Sequence, residues 1–92
     1  MIKPYLSVVI PCFNEETNIR LGSLDKVIRY LQSQQYSWEV LVVDDGSSDQ
    51  SPRLLDAFVR VSAGFSVLHN SHLGKAGTLI TGFKHVKGEI VL

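Results

Sequence analysis

The feature that most constrains the fold is an apolar run that ends in two adjacent carboxylates. Residues 39–43 favour a strand, and Asp44, Asp45 and Gly46 follow them directly. Such a run predicts a strand buried on both faces, as in a parallel sheet. The two acids would then lie at the carboxyl end of the strand, where open α/β sheets bind their ligands. An acidic turn that only starts the next helix is, at this point, an equal alternative.

The dipeptide Asp44-Asp45 allows two different contacts. Adjacent side chains on a strand point in different directions, so one acid can bind a ligand while the other holds the loop. Gly46 permits a sharp exit from the strand, and the small polar residues at 47–49 can cap the next helix.

Strand and helix patterns alternate along the rest of the chain. β-branched or aromatic runs bounded by Pro, Gly or polar residues indicate strands. Apolar residues at i, i+3, i+4 and i+7 indicate amphipathic helices. We therefore predict strands at 5–10, 38–43, 65–68 and 89–92, separated by helices whose apolar positions fall within 24–31, 54–61 and 76–83. Thr17 or Ser23 is the expected cap of the first helix, and Ser51 that of the second.

This β-α-β-α-β-α-β order predicts one three-layer α/β/α domain with a parallel sheet. We expect the fourth strand to lie beside the first, which gives the strand order 3-2-1-4. Three strand-to-helix loops then meet at one edge of the sheet, at residues 11–15, 44–48 and 70–75.

Composition narrows the class of protein. The 92 residues suffice for one domain, and nine basic and nine acidic residues give no net charge. Nothing therefore supports a nucleic-acid-binding protein, which usually carries a basic excess. No apolar run is long enough to span a bilayer. The single Cys12 excludes an internal disulfide and suits a reducing compartment.

The three loops carry groups suited to a nucleotide. A lysine near a helix start, here Lys75, suits a phosphate, and carboxylates suit a base, a ribose or a divalent metal. Asn14 and the acids Glu15 and Glu16 also suit a plain helix N-terminus. The first strand is followed by neither Gly-x-Gly-x-x-Gly nor a Walker-type Gly-Lys-Ser/Thr, which disfavours a dinucleotide fold and a phosphate-loop ATPase.

Cysteine and histidine offer little catalytic or metal-binding signal. No obvious base accompanies Cys12, so a buried packing role is favoured. The spacing of His69, His72 and His85 matches no metal-ligand pattern, which favours structural or solvated roles. Of the three, His72 is the least ordinary, because it lies in the loop that precedes Lys75.

Three segments carry a resemblance to a known family: VVIPCFNEE at 8–16, VVDDGSSD at 42–49 and NSHLGKAG at 70–77. Together they resemble the Rossmann-like N-terminal half of an inverting family 2 glycosyltransferase with the GT-A fold. The chain is most similar to dolichyl-phosphate glucosyltransferases and bacterial polyprenyl-phosphate glycosyltransferases. Three positions depart from the family pattern: Phe13 replaces the usual Tyr, Cys12 replaces a small residue, and Ala76 stands where Gly is common.

The resemblance implies a binding site for a nucleotide-diphospho-sugar. Pro11, Phe13 and Glu15 match the loop that lines the base and ribose. Asp45 matches the acid that accepts a hydrogen bond from the base, and Lys75 matches the basic residue near the diphosphate. The implied nucleotide-sugar-binding residues are Pro11, Phe13, Asn14, Glu15, Asp44, Asp45, Gly46, Ser47, Gly74 and Lys75.

The resemblance also implies what lies beyond these residues. The family's Asp-x-Asp metal motif would follow the strand at 89–92, so residues 1–92 are expected to be a donor-binding part without catalytic residues or metal ligands. The full-length enzyme would use Mg²⁺ or Mn²⁺ and transfer a sugar from a UDP-glucose-like donor, with inversion, to a polyprenyl or dolichyl phosphate or a saccharide. It would act in the cytoplasm, at the face of a membrane. We expect this chain to transfer no sugar by itself and to self-associate along the open edge at 89–92.

Two other functions remain open from the sequence. One is a non-catalytic nucleotide-binding or regulatory domain derived from the same fold. The other is a flavodoxin-like or receiver domain, which also clusters acids at strand ends but does not account for the loop at 11–16.

Overall fold

The computed structural model describes residues 3–88 and 90–91. Its strands are β1 (Leu6–Cys12), β2 (Trp38–Asp44), β3 (Phe65–His69) and β4 (Ile90–Val91). Its helices are α1 (Glu16–Arg20), α2 (Ser23–Gln32), α3 (Ser51–Arg60) and α4 (Gly74–His85).

The four strands form one parallel sheet in the order β3-β2-β1-β4. β1 and β2 pair along their whole length, with Val9 opposite Leu41. β4 pairs with the start of β1, with Ile90 opposite Leu6. Because all four strands run the same way, the ends of β1, β2 and β3 bring three loops to one edge of the sheet. The predicted strand residues 89 and 92 lie outside the described part of the chain, and the predicted self-association stays untested.

Helices cover both faces of the sheet, and the pleat sorts the strand residues between them. On one face, Val40, Val42 and their neighbours pack against α2 and α3, where Leu55 is fully buried. On the other face, Val9, Leu41 and Val43 pack against Leu79 of α4 and against Val86 beyond it. The three-layer α/β/α prediction is confirmed. Within residues 3–88 and 90–91, no helix is both long and apolar enough to cross a bilayer.

The described residues contain one more helix than the predicted β-α-β-α-β-α-β order. The segment after β1 is split into the five-residue α1 and the longer α2, because Gly22 between them adopts a left-handed φ of 92°. Gly22 is the N-cap of α2, so neither Thr17 nor Ser23 has the predicted capping role. Ser51 is likewise the first residue of α3 rather than its cap, which is Gln50.

Gly82 lets α4 approach the sheet closely. A Cβ at this position would clash with Val9 Cγ1 and would lie 3.2 Å from Val43 Cγ2. The backbone of α4 therefore lies directly on β1 and β2, and its N-terminus is held at the same edge as the loops that follow those strands.

Candidate nucleotide site

The loops after β1 and β2 are joined by reciprocal hydrogen bonds. The Asn14 amide donates to Ser47 Oγ at 3.0 Å, and the Ser48 amide donates to Asn14 Oδ1 at 2.8 Å. The Glu15 amide donates to Ser51 Oγ at 2.9 Å. Asn14 adopts a left-handed φ of 51°, a conformation that asparagine tolerates better than most residues. Asn14 and Ser47 therefore fix the two loops to each other.

Asp44 holds the ends of β2 and β3 together. Its carboxylate is 2% exposed and accepts a hydrogen bond from the Ser47 amide at 3.2 Å. His69 Nδ1 lies 2.8 Å from Asp44 Oδ2, and His69 Nε2 lies 2.8 Å from Asp56 Oδ1 on α3. Hydrogen bonds from the imidazole to Asp44 and to Asp56 raise the pKa of His69, although partial burial opposes them.

Asp45 holds the N-terminus of α4 to β2. Its Oδ1 accepts a hydrogen bond from the Leu73 amide at 2.7 Å, and its Oδ2 accepts one from the Gly74 amide at 2.9 Å. Burial alone raises the pKa of Asp45, but the hydrogen bonds from the Leu73 and Gly74 amides, together with the nearby Thr78 hydroxyl and His72, outweigh it and hold the pKa below its usual value. Asp45 is therefore an ionised, 3% exposed carboxylate between the helix and the cavity described next.

A cavity of about 370 Å³ opens at this edge of the sheet. It contains an aromatic surface, since the rings of Phe13 and His72 lie 4.6 Å apart at 38° to each other. It also contains two carboxylates and one lysine, so an anion and hydrogen-bond donors can both find partners there. Its lining residues are Pro11, Cys12, Phe13, Glu15, Asp45, His72, Lys75 and Thr78.

The Cys12 thiol in this cavity is not an activated nucleophile. Burial, together with the charges of Asp44 and Glu15, raises the pKa of Cys12 to about 11. Only the thiolate is strongly nucleophilic, and it is scarce at neutral pH. The 5% exposed side chain therefore packs in the core, as the sequence predicts.

The structure divides the ten predicted site residues into two groups. Pro11, Phe13, Glu15, Asp45 and Lys75 line the cavity. The other five lie in the loops and helix start that frame the cavity: Asn14, Asp44, Gly46, Ser47 and Gly74. Their part in ligand binding stays a prediction.

Sequence reasoning left three cavity residues out of the predicted site: Cys12, Thr78 and His72. Thr78 is fully buried one helical turn after Gly74 and donates to the Gly74 carbonyl oxygen at 2.8 Å. Its spacing from Gly74 is the only sequence signal for this role. The sequence favours a structural or solvated role for His72, yet its ring lies against that of Phe13. The sequence signal for a role in the site is its position in the loop that precedes Lys75.

No group of three or more His, Cys, Asp or Glu side chains within residues 3–88 is arranged to hold a metal ion.

The fold and the site define the class of parallel α/β domains with a cavity at the carboxyl edge of the sheet, and comparison with known proteins establishes the family. The sequence model described as "Glycosyl transferase family 2" matches residues 7–92. The chain belongs to this family, and its α/β sheet is that of the GT-A glycosyltransferases.

Curated relatives are named as sugar transferases of dolichyl phosphate and undecaprenyl phosphate. The chain is 32% identical over 94 residues to the dolichyl-phosphate beta-glucosyltransferase ALG5A of Trichomonas vaginalis, which covers 96% of this chain and 29% of the relative. It is 37% identical over 90 residues to the undecaprenyl-phosphate 4-deoxy-4-formamido-L-arabinose transferase of Edwardsiella ictaluri. This alignment covers 96% of this chain and 27% of the relative. The chain therefore spans less than a third of the length of these relatives.

Solved structures support the same fold. The chain superposes on the mannosyltransferase of Pyrobaculum calidifontis, which was solved with GDP-mannose and Mn²⁺, with a TM-score of 0.78 and 29% identity. The superposition covers 99% of this chain and 27% of the mannosyltransferase chain. The chain also superposes on residues 1–349 of TarS from S. aureus, with a TM-score of 0.71 and 29% identity. This superposition covers 96% of this chain and 26% of the TarS chain.

Proposed function

We propose that residues 1–92 form the nucleotide-sugar-binding part of a family 2 glycosyltransferase that transfers a sugar, with inversion, to a polyprenyl or dolichyl phosphate. The names of the curated relatives support the acceptor class. The observation that carries the proposal is the cavity at the carboxyl edge of the sheet, which combines the aromatic ring of Phe13, the carboxylate of Asp45 and the ammonium group of Lys75.

The base and ribose are proposed to bind between the first two loops. Phe13 is 44% exposed, so it offers a ring face against which a base can stack. Asp45 is ionised and can only accept hydrogen bonds, so it selects a base edge that carries an N–H. Glu15 is another carboxylate in the lining and suits the ribose hydroxyls.

The diphosphate is proposed to bind at the start of α4. Lys75 lies in the first turn of this 12-residue helix, where the partial positive charge of the helix N-terminus favours an anion. The same end of the helix is fixed to β2 through Asp45, so the lysine is held at a constant distance from the base-binding loops.

The transfer step uses groups that we place outside residues 3–88. A divalent metal, when bound, offsets the charge of the leaving diphosphate, and we propose that its ligands are supplied by another part of the whole protein. The residues of this chain bind and orient the nucleotide, which holds the anomeric carbon of the sugar in a fixed position for attack. The 92-residue chain by itself is accordingly expected to bind the donor and not to consume it.

The test is a calorimetric titration of the 92-residue chain with UDP, GDP and CDP, repeated with Lys75→Ala. A charge-assisted hydrogen bond to phosphate is lost in this variant, so we expect affinity to fall about tenfold or more. Lys84→Ala is the matched control, because Lys84 lies in the last turn of the same helix and should leave affinity unchanged.

Two results would contradict the proposal. One is that none of the three nucleotides binds to the folded chain. The other is that Lys75→Ala and Lys84→Ala bind as tightly as the unaltered chain, which would remove the start of α4 from the site.

A further inference from the structure

His72 makes both of the contacts that the proposed function gives to a base. Its imidazole lies against the ring of Phe13, with 4.6 Å between the ring centroids. Its Nδ1 lies 3.0 Å from Asp45 Oδ2 and 3.2 Å from the Asp45 carbonyl oxygen. Both of these partners are acceptors, so Nδ1 carries the hydrogen and donates it. The imidazole therefore resembles a pyrimidine base in two respects: it is a flat aromatic ring, and it directs an N–H at Asp45.

The Asp45 carboxylate is covered by its neighbours in this arrangement, since its side chain is only 5% exposed. It accepts hydrogen bonds from the Leu73 and Gly74 amides, whereas the single hydrogen of the Thr78 hydroxyl is donated to the Gly74 carbonyl oxygen. His72 Nδ1 donates to the Asp45 carbonyl oxygen and lies 3.0 Å from Oδ2. A base that donates to this carboxylate therefore has to displace a group that covers it.

His72 is the donor that can leave at the lowest cost. The two backbone amides fix the start of α4, and Thr78 is fully buried, so their release would disturb the helix and the core. The His72 side chain is 61% exposed, so its imidazole can move into water and be solvated there. Its departure also uncovers the face of Phe13 that it contacts.

We propose that the His72 imidazole occupies the position of the nucleobase and is displaced when a uracil nucleotide binds. This inference rests on the proposed function, because it assumes that Phe13 and Asp45 receive the base. Displacement uncovers Asp45 Oδ2, the oxygen atom that lies 3.0 Å from Nδ1, and one uncovered oxygen atom matches the single imino N–H of uracil. Guanine presents two neighbouring N–H donors, which need both oxygen atoms of a carboxylate. In cytosine the amino group is accompanied by an unprotonated ring nitrogen that the carboxylate repels.

The test compares UDP binding by the unaltered 92-residue chain and by His72→Ala. The unaltered chain has to break the contacts of His72 before the base can bind, and the variant does not. We expect His72→Ala to bind UDP about three- to tenfold more tightly. His85→Ala is the matched control, since His85 lies at the other end of α4 and should leave affinity unchanged. UDP should bind the unaltered chain at least about threefold more tightly than GDP or CDP.

Imidazole ¹⁵N spectra provide a second readout. Addition of UDP should shift the His72 Nδ1 resonance as its hydrogen bond to Asp45 breaks, and should leave the His85 resonances in place. An unchanged His72 resonance at saturation would overturn the inference.

The affinities separate this inference from the proposed function. If the unaltered chain binds UDP and His72→Ala binds it equally or more weakly, displacement is wrong and the proposed function stands. If neither protein binds any of the three nucleotides, the proposed function fails and the inference fails with it.

Discussion

The carboxylates of Asp44 and Asp45 have different partners although the residues are adjacent. Asp44 accepts from the Ser47 amide and lies 2.8 Å from His69, whereas Asp45 accepts from the first amides of α4. This follows from the alternation of side chains along a strand. Asp44 therefore shapes the loop, and Asp45 joins a helix to the cavity.

His69 should give the domain a pH-dependent contribution to its stability. Its pKa is raised in the native state by Asp44 and Asp56, so the contribution is complete below the ordinary pKa of histidine and is lost as pH rises through the raised value. His69→Gln should therefore cost roughly 0.5–1 kcal/mol more at about pH 6 than at about pH 9. Urea denaturation of both proteins at the two pH values measures the difference.

Asp56→Asn is the companion variant, because it removes the more exposed of the two carboxylates. It should reduce the pH-dependent part of the stability without abolishing it. An equal cost of His69→Gln at both pH values would show that the imidazole is held without a protonation-dependent bond.

The sequence predicted which residues line the cavity better than it predicted the contacts between them. Phe13, Asp45 and Lys75 were selected, through the family resemblance, at positions that prove to line the cavity. The contact of His69 with Asp44 and Asp56 was not predictable, because it joins the ends of two strands to α3 and depends on the final packing.

Among the secondary-structure elements, α4 is the one whose position the site depends on most. It supplies Lys75, and Asp45 fixes its N-terminus. Its docking on β1 and β2 depends on Gly82, where the helix backbone contacts Val9 and Val43. Any change that moves the helix away from the sheet should therefore lower both the stability of the domain and its affinity for a nucleotide.

Gly82→Ala should destabilise the domain by about 1–3 kcal/mol, because the added methyl group overpacks a buried contact. The expected result is a lower midpoint of urea denaturation together with weaker UDP binding. Lys84→Ala is the matched control on the same helix, since Lys84 is an exposed residue in the last turn of α4.

The control variant introduces a residue of high helix propensity and removes only an exposed side chain. Its stability should therefore stay within about 1 kcal/mol of the unaltered chain. Equal effects of the two alanines would contradict close docking of α4 at Gly82.

Long periodic segments of the sequence predicted the main helices and strands well, but the local breaks between these elements were not predicted. The apolar runs of β1, β2 and β3 and the stripes of α2 and α3 were found at nearly their observed positions. The split between α1 and α2 was not predicted, because it depends on the left-handed conformation of Gly22. The Asn14–Ser47–Ser48 contacts also escaped prediction, since they join loops about 33 residues apart in sequence.

For the whole molecule, the arrangement of the sheet explains where the cavity lies. Parallel strands of the order β3-β2-β1-β4 bring the loops after β1 and β2 and the start of α4 to one edge. The apolar pattern predicted the parallel sheet, and the resemblance predicted the family, which the match over residues 7–92 confirms. The choice of base was not predictable from the sequence pattern, because it depends on contacts such as those of His72 with Phe13 and Asp45, which only the fold brings together.

The most direct test of the central claim is to locate UDP on the folded chain by intermolecular nuclear Overhauser effects. We expect contacts from the uracil H5 and H6 protons to the ring protons of Phe13, and from the ribose protons to the loop after β1. Lys75 amide and side-chain resonances should shift on the addition of UDP. Contacts confined to the groove at the opposite edge of the sheet, beside Trp38 and Lys87, would contradict the account, as would the absence of any contact at saturating UDP.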